Sequence, residues 1–264
     1  MITNDTEAAV IYTQNKNIAT ITLNRPHALN AMTTGLMQGI TDSIEAVKAD
    51  ESIRAVVLTG AGRGFCAGAD LRQTAAGTND SGTQDTTFTD AINAFYHCPV
   101  PTIARVNGAA AGGGFGLALA ADITIAAEGA FFVATFGPRL GIVPDMGATW
   151  SIPNRVGRAR AMGISLLGDR ISAQQAADLG LIWQCVPDDD LDSTVDAIAA
   201  RLARSSPSAM TRIRQTIDAA STNSLSEQMA LEMAHQAVLI PRNMVAGAQA
   251  FVDKREPEFS GRRD

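Results

Sequence analysis

Apolar and polar positions alternate near the start of the chain. Val10 to Tyr12 and Ile18 to Leu23 read as two short strands, and Asn15-Lys16-Asn17 between them predicts a hairpin. Asn24-Arg25-Pro26-His27 interrupts the pattern. The period then changes. Met32, Leu36, Ile40, Ile44 and Val47 recur at helical spacing, which predicts a helix over Asn30 to Lys48 with one buried face. Ala55 to Thr59 and Thr102 to Val106 are apolar, β-rich runs, and each is followed by a glycine-rich segment and a helical pattern. Ile123 to Ala126 and Phe131 to Ala134 read as further short strands, Met162 to Leu167 as helix, and Leu181 to Val186 as strand. Ser172-Ala173-Gln174-Gln175 carries the signature of a capped helix start. From Asp192 onward the pattern is helical: Ile198 and Leu202, Ile213 and Ile217, then Leu225 to Leu239 and Pro241 to Phe251. Strands leading into helices predict a layered α/β architecture. Gln73 to Asp90 is rich in Gly, Thr, Ser, Asn and Asp, and is expected to be a mobile loop.

Composition narrows the function classes. A chain of 264 residues, 46% of them hydrophobic, suits one large α/β domain or a domain with an appended subdomain. The net charge is −6, and no basic stripe marks a nucleic-acid or anionic-membrane surface. The basic clusters at Arg155 to Arg160 and Arg262-Arg263 are expected to be solvated or to make local phosphate contacts. Cys66, Cys98 and Cys185 show no metal or redox spacing, and so sparse an odd count fits a reducing compartment. Met1 to Ala9 does not read as a signal peptide, and no apolar run approaches the ~20 residues of a membrane span. The expectation is a soluble, cytoplasmic protein with neither nucleic acid nor membrane as partner.

The chemistry lies in the glycine-rich segments, Gly62-Arg63-Gly64-Phe65-Cys66-Ala67-Gly68-Ala69-Asp70-Leu71 and Asn107-Gly108-Ala109-Ala110-Ala111-Gly112-Gly113-Gly114-Phe115-Gly116-Leu117. Glycine turns let a backbone approach a ligand, and helix starts leave N–H groups unpaired. Two such N–H groups aimed at one oxygen make an oxyanion hole. Read alone, the segments are equally two ordinary strand-to-helix turns.

Taken together, these motifs resemble the crotonase (enoyl-CoA hydratase/isomerase) superfamily, whose members act on acyl-CoA thioesters. The likeness runs from Leu23-Asn24-Arg25-Pro26 to Phe251 and Lys254. It implies an α/β fold, the crotonase (ClpP-like) spiral of repeated β-β-α units, with a C-terminal α-helical trimerisation region. On this basis residues 1–195 form the core with the acyl-CoA site and 196–264 the helical region, in a homotrimer or dimer of trimers. The resemblance places the two oxyanion donors at the N–H groups of Ala69 and Gly113. It puts Arg25, His27 and Ala28 near the ribose phosphate and upper pantetheine of coenzyme A, with Ala67, Asp70 and Leu71 around the adenine. Phe251 and Lys254 match a pair that reaches the nucleotide end, often from a neighbouring subunit. Coenzyme A enters as part of the substrate; no metal or redox cofactor is implied. The 73–90 segment would rim the acyl pocket.

One departure matters more than the match. Hydratases of this superfamily use two glutamates, and the corresponding positions here are Gly116 and Gly137. Glycine cannot move a proton. Leu140-Gly141-Ile142-Val143-Pro144-Asp145-Met146-Gly147 instead supplies an acid. A Pro-Asp at this place resembles the epoxyphenylacetyl-CoA isomerases of bacterial phenylacetate breakdown, as do Gly157-Arg158-Ala159-Arg160-Ala161-Met162-Gly163 and Gly180-Leu181-Ile182-Trp183. Asp145 reads either as the acid/base of an isomerase or as the N-cap of the following helix. A hydratase in which Asp145 activates water, and a non-catalytic acyl-CoA binder, remain alternatives. Asp70 is expected to cap a helix start, and Asp122 to close a helix or order a turn. His27, His97, His235, Cys66, Met229 and Met233 are expected to pack or to lie at the surface.

Overall fold

The computed structural model describes residues 8–75, 86–259, 261 and 263. Strands β1 (Val10–Asn15) and β2 (Ile18–Leu23) form the expected hairpin. Helix α1 (Thr34–Ala49) follows and buries Leu36, Met37, Ile40, Ile44 and Val47. Each such side chain contributes about 1.5–3 kcal/mol relative to exposure. Three β-β-α turns then succeed one another. The first is β3 (Ala55–Gly60) and β4 (Gly64–Cys66) with helices α2 (Leu71–Ala75) and α3 (Thr87–Tyr96). The second is β5 (Thr102–Val106), β6 (Ala109–Ala111) and α4 (Gly113–Leu119). The third is β7 (Ile123–Ala127), β8 (Phe131–Val133) and α5 (Ala148–Leu167). Short β9 (Ile171–Ser172), α6 (Ala173–Asp178) and β10 (Gln184–Val186) complete the core, and α7 (Leu191–Arg204), α8 (Pro207–Ala219), α9 (Leu225–Leu239) and α10 (Val245–Val252) end the chain.

The first strand of each turn joins a six-stranded sheet ordered β1-β2-β3-β5-β7-β10, parallel apart from the β1–β2 hairpin. The second strand joins a four-stranded sheet ordered β4-β6-β8-β9, in which β9 alone runs antiparallel. This is the α/β spiral that the resemblance implies. Its consequence is positional: the segments leaving β4, β6 and β8 lie side by side at one end of the smaller sheet.

Several expected elements differ in extent. α1 starts at Thr34, not Asn30, because Leu29 (φ 52°) and Asn30 (φ 57°) are left-handed. Asn30 is fully buried. Its carbonyl oxygen accepts from Arg25 N–H at 2.9 Å, and its amide donates to the Ala61 and Gly64 carbonyls at 3.0 and 2.8 Å. Thr33 then caps the helix by accepting from Leu36 N–H at 3.2 Å. Of the loop expected over 73–90, both flanks are helical. Ala75 ends α2, and α3 begins at Thr87 because Ala91 and Phe95 bury one face that the polar composition had masked; 76–85 lie outside the described residues. The strand expected from Leu181 starts only at Gln184, since Leu181 and Ile182 are buried with their N–H groups donating to the Ala176 carbonyl. The Pro241–Phe251 helix opens as a π-helical turn over Ile240–Met244, where proline has no N–H to give, and is α-helical from Val245. The 195/196 boundary falls inside α7, which buries Leu191, Val195, Ile198 and Ala199 against the larger sheet.

Two arginines expected in solvent are internal clamps. Arg155 donates to the carbonyls of Leu119 (2.6 Å), Ala121 (3.1 Å) and Leu181 (3.0 Å), closing the C-terminal end of α4 with a cation. Arg263 donates to the carbonyls of Val47, Asp50 and Ile53. Arg158 and Arg160 are exposed, and Arg262 lies outside the described residues. Asp122 orders a turn as expected, accepting from Thr102 N–H at 2.7 Å and pairing with Arg214 at 2.8 Å. Cys66 is a sealed filler whose thiol burial pushes up to about 12. His235 is tied to Thr216 at 2.8 Å, His97 stands edge-on to Tyr96, and His27 is exposed. Met229 and Met233 are exposed on α9. No described helix is long and apolar enough to cross a membrane.

Candidate active site

After β4 the chain turns through Ala67-Gly68-Ala69-Asp70 into α2. Met32 holds this turn from one side. Its N–H donates to the Gly68 carbonyl at 2.8 Å, and its carbonyl accepts from Asp70 N–H at 3.2 Å. In a parallel bridge of this kind the N–H of the middle residue faces away from the partner segment. No protein group among the described residues accepts from the Ala69 N–H.

The second turn is built differently. Gly112 N–H donates to the Val133 carbonyl at 2.9 Å, and Gly112 then turns with φ 53° into α4. Gly113 is the first residue of that helix, so its N–H has no intrahelical acceptor, and none elsewhere among the described residues. The two turns touch. A Cβ added to Gly68, at φ 85°, would stand 2.7 Å from the Ala111 carbonyl oxygen and 3.2 Å from the Gly113 nitrogen. Only glycine satisfies both the space and the conformation.

The third wall comes from β8. A π-helical turn over Phe136–Leu140 is closed by Gly141, and Ile142 to Gly147 lead into α5. Met146 is left-handed at φ 53°, a region sparsely populated by long side chains. Packing holds it there. Its carbonyl oxygen lies 2.5 Å from where a Cβ on Gly116 would be, and its Cγ 3.0 Å from one on Gly113. The segment carrying Asp145 is thus pressed onto the glycine face of α4. The N-cap of α5 is Gly147, and Ala148 N–H reaches the main-chain carbonyl of Asp145 at 2.9 Å. Asp145 is not the cap of this helix.

These walls enclose a pocket with an interior volume of about 60 Å³. Ala69, Gly113 and Asp145 all line it, and apolar side chains such as Met32, Phe88, Phe136 and Ile142 make up most of the rest. Among the described lining residues only Thr135 and Asp145 have a polar side chain. Asp145 is reached by solvent as a residue, yet protein crowding around its carboxyl raises its pKa above the ordinary 3.8, against a lesser lowering by its own backbone N–H. A base is active when ionised. If Asp145 is that base, the acid limb of a kcat/KM profile falls at a pH above 3.8 and is absent from the residual rate of Asp145→Asn. A limb at or below that value, or one that persists in the variant, would assign the titration to another group.

The residues matched to coenzyme A are distributed unevenly. Ala67 and Leu71 line the pocket, and Leu71 is half exposed. His27 and Ala28 lie in the short 3-10 turn Pro26–Ala28. Arg25 is buried beneath it, donating to the Ala31 carbonyl at 2.7 Å and pairing with Asp70 at 3.1 Å. Asp70 directly precedes α2, as expected, but this ion pair is what its carboxylate makes with Arg25. Phe251 and Lys254 are exposed on and after α10, away from the pocket lining. Sequence reasoning missed Met32, Phe88, Thr135 and Met146. Phe88 stood in the segment read as loop, and Met32 in the segment read as helix. Thr135 adjoins a segment read as strand and Met146 stands within the quoted Pro-Asp segment, and neither carries a motif signal of its own.

The comparisons with known proteins agree with this geometry. The family model described as enoyl-CoA hydratase/isomerase matches residues 13–262. A probable enoyl-CoA hydratase of Rhodobacter capsulatus is 42% identical over 253 residues, covering 95% of this chain and 97% of the relative. The 1,2-epoxyphenylacetyl-CoA isomerase of Escherichia coli is 40% identical over 253 residues, covering 94% and 96%. The crystal structure of an enoyl-CoA hydratase from Polaromonas superposes with a TM-score of 0.89 at 34% identity, covering 95% of this chain and 99% of that one. Two touching glycine turns whose N–H groups at Ala69 and Gly113 find no acceptor among the described residues, a carboxylate in the lining of the same pocket, and a match along nearly the whole length lead to one conclusion: the chain belongs to the enoyl-CoA hydratase/isomerase family.

Proposed function

We propose that this protein is an acyl-CoA isomerase that works through a thioester enolate, with Asp145 as its single acid/base. The thioester oxygen docks between the N–H groups of Ala69 and Gly113. Asp145 removes a proton from a carbon near the carbonyl, and the electron pair left behind is delocalised onto the oxygen. The same carboxyl returns the proton at another carbon, which shifts a double bond or completes a ring rearrangement. Losing one donor from such a hole typically costs ~100–1000-fold in rate. The observation that carries this reading is that Asp145 is the one carboxylate among the described residues that line the pocket, while glycines stand at 116 and 137, where the resemblance places the two hydratase glutamates.

Arg25 and Asp70 serve coenzyme A by fixing the turn that presents His27 and Ala28, with Ala67 and Leu71 beside the chain's entrance. Phe251 and Lys254 act from a neighbouring subunit of a homotrimer or dimer of trimers. In support, α9 buries none of its residues within the single chain and exposes Leu225, Met229 and Met233.

The test is incubation with a non-conjugated enoyl-CoA, following the ultraviolet absorbance of the conjugated thioester. A rise in absorbance is expected. Water addition to a conjugated enoyl-CoA without any double-bond shift would replace this reading by the hydratase one, which the hydratase name of the 42% identical relative favours. Tight binding with neither reaction would leave an acyl-CoA binder.

A further inference from the structure

Thr135 follows β8 and lines the pocket, one residue before the π-helical turn. Its hydroxyl oxygen stands 3.1 Å from where a Cβ on Gly112 would be, and so borders the turn that presents the Gly113 N–H. The residue is half-buried, and its oxygen is not among the buried polar atoms sealed off without a partner. Among the described residues no protein group donates to or accepts from it. Among the described residues the pocket thus holds one polar side chain that the proton-transfer chemistry does not use, in a lining otherwise made of Met, Phe, Leu, Ile, Ala and Gly apart from Asp145.

Resting on the acyl-CoA reading of this pocket, we infer that Thr135 is a specificity-determining residue that hydrogen-bonds an oxygen substituent on the acyl group, and that the substrates are oxygen-bearing acyl-CoA thioesters. An apolar wall does not distinguish a hydroxyl-bearing chain from its oxygen-free analogue strongly, whereas a placed hydroxyl does, because the analogue strips solvent from it and returns nothing. The position beside Gly112 sets the oxygen close to the thioester end rather than at the far end of a long chain.

The test is binding without turnover, in the Asp145→Asn background, by titration calorimetry with 3-hydroxybutanoyl-CoA and butanoyl-CoA. The oxygenated thioester is expected to bind more tightly, and Thr135→Val to reduce the ratio of the two affinities by about 3- to 10-fold, the size of one net hydrogen bond. Thr135→Ser keeps the hydroxyl and is expected to retain the ratio. Equal affinities before substitution, an unchanged ratio in Thr135→Val, or a ratio lost equally in Thr135→Ser overturns the inference. Because these measurements need no catalysis, absence of double-bond migration in the wild-type protein counts against the isomerase reading alone, and failure of both thioesters to bind counts against the acyl-CoA reading beneath both.

Discussion

Asp145→Asn is expected to slow conversion of a non-conjugated enoyl-CoA to its conjugated isomer by roughly 10²–10⁴-fold, the contribution of a positioned acid/base. Acyl-CoA affinity should be essentially retained, because the variant keeps the shape of the side chain and both oxyanion donors. The change also separates chemistry from folding. Crowding raises the carboxyl's pKa in the folded state, so the unfolded chain loses this proton first as pH rises. Between the two pKa values the folded state binds more protons, and stability falls with rising pH through that window. At neutral pH the ionised carboxylate is therefore a cost to the fold, and Asp145→Asn should be at least as stable as wild type by chemical denaturation. A variant that is inactive, stable and able to bind assigns proton transfer to Asp145. Full activity would remove Asp145 from the mechanism and, with it, the isomerase reading.

The outline of this site was legible because its parts are backbone features with strong local signals. Gly68 and Gly112 adopt positive φ where two chain segments meet, and glycine runs after strands announce such places. Asp145 was legible from the Pro-Asp pair and from the glycines standing where two other acids belong. The residues that escaped are those whose roles arise only when distant segments meet. Asn30 fits a helical pattern, and it leaves it because its side-chain amide ties Arg25, Ala61 and Gly64 together, contacts that a sequence window does not see. Arg155 belongs to a basic cluster by sequence and to three buried carbonyls by structure. Thr135 is one threonine after a strand until Gly112 is placed beside it and Asp145 in the lining of the same pocket. Met146 likewise shows in the sequence neither its left-handed backbone nor its contact with α4.

That contact yields the second large effect. Gly116→Glu restores the residue type that the resemblance places in hydratases, yet it is expected to destroy activity here rather than to create hydration. A Cβ at 116 would stand 2.5 Å from the Met146 carbonyl oxygen and 2.8 Å from its Cβ. The first obstacle is main chain, so a rotamer change does not relieve it, and the 145–147 segment must move off α4. Overpacking of this kind typically costs about 1–3 kcal/mol, and here it displaces the residue whose carboxylate shares the pocket with Ala69 and Gly113. Denaturation midpoints should fall, double-bond migration should drop together with them, and water addition should stay at background. Gly137→Glu makes the contrast. A Cβ there meets nothing nearer than the Ser165 carbonyl oxygen at 3.7 Å, so the fold should accept it. If Gly116→Glu instead keeps wild-type stability and adds water to a conjugated enoyl-CoA, the Met146 wedge does not bar a second acid. Glycine at 116 would then be incidental to the reaction. If stability and isomerisation fall together, the glycine is what lets the Asp145 loop pack onto α4, and the absence of a glutamate at 116 is a packing requirement of that loop.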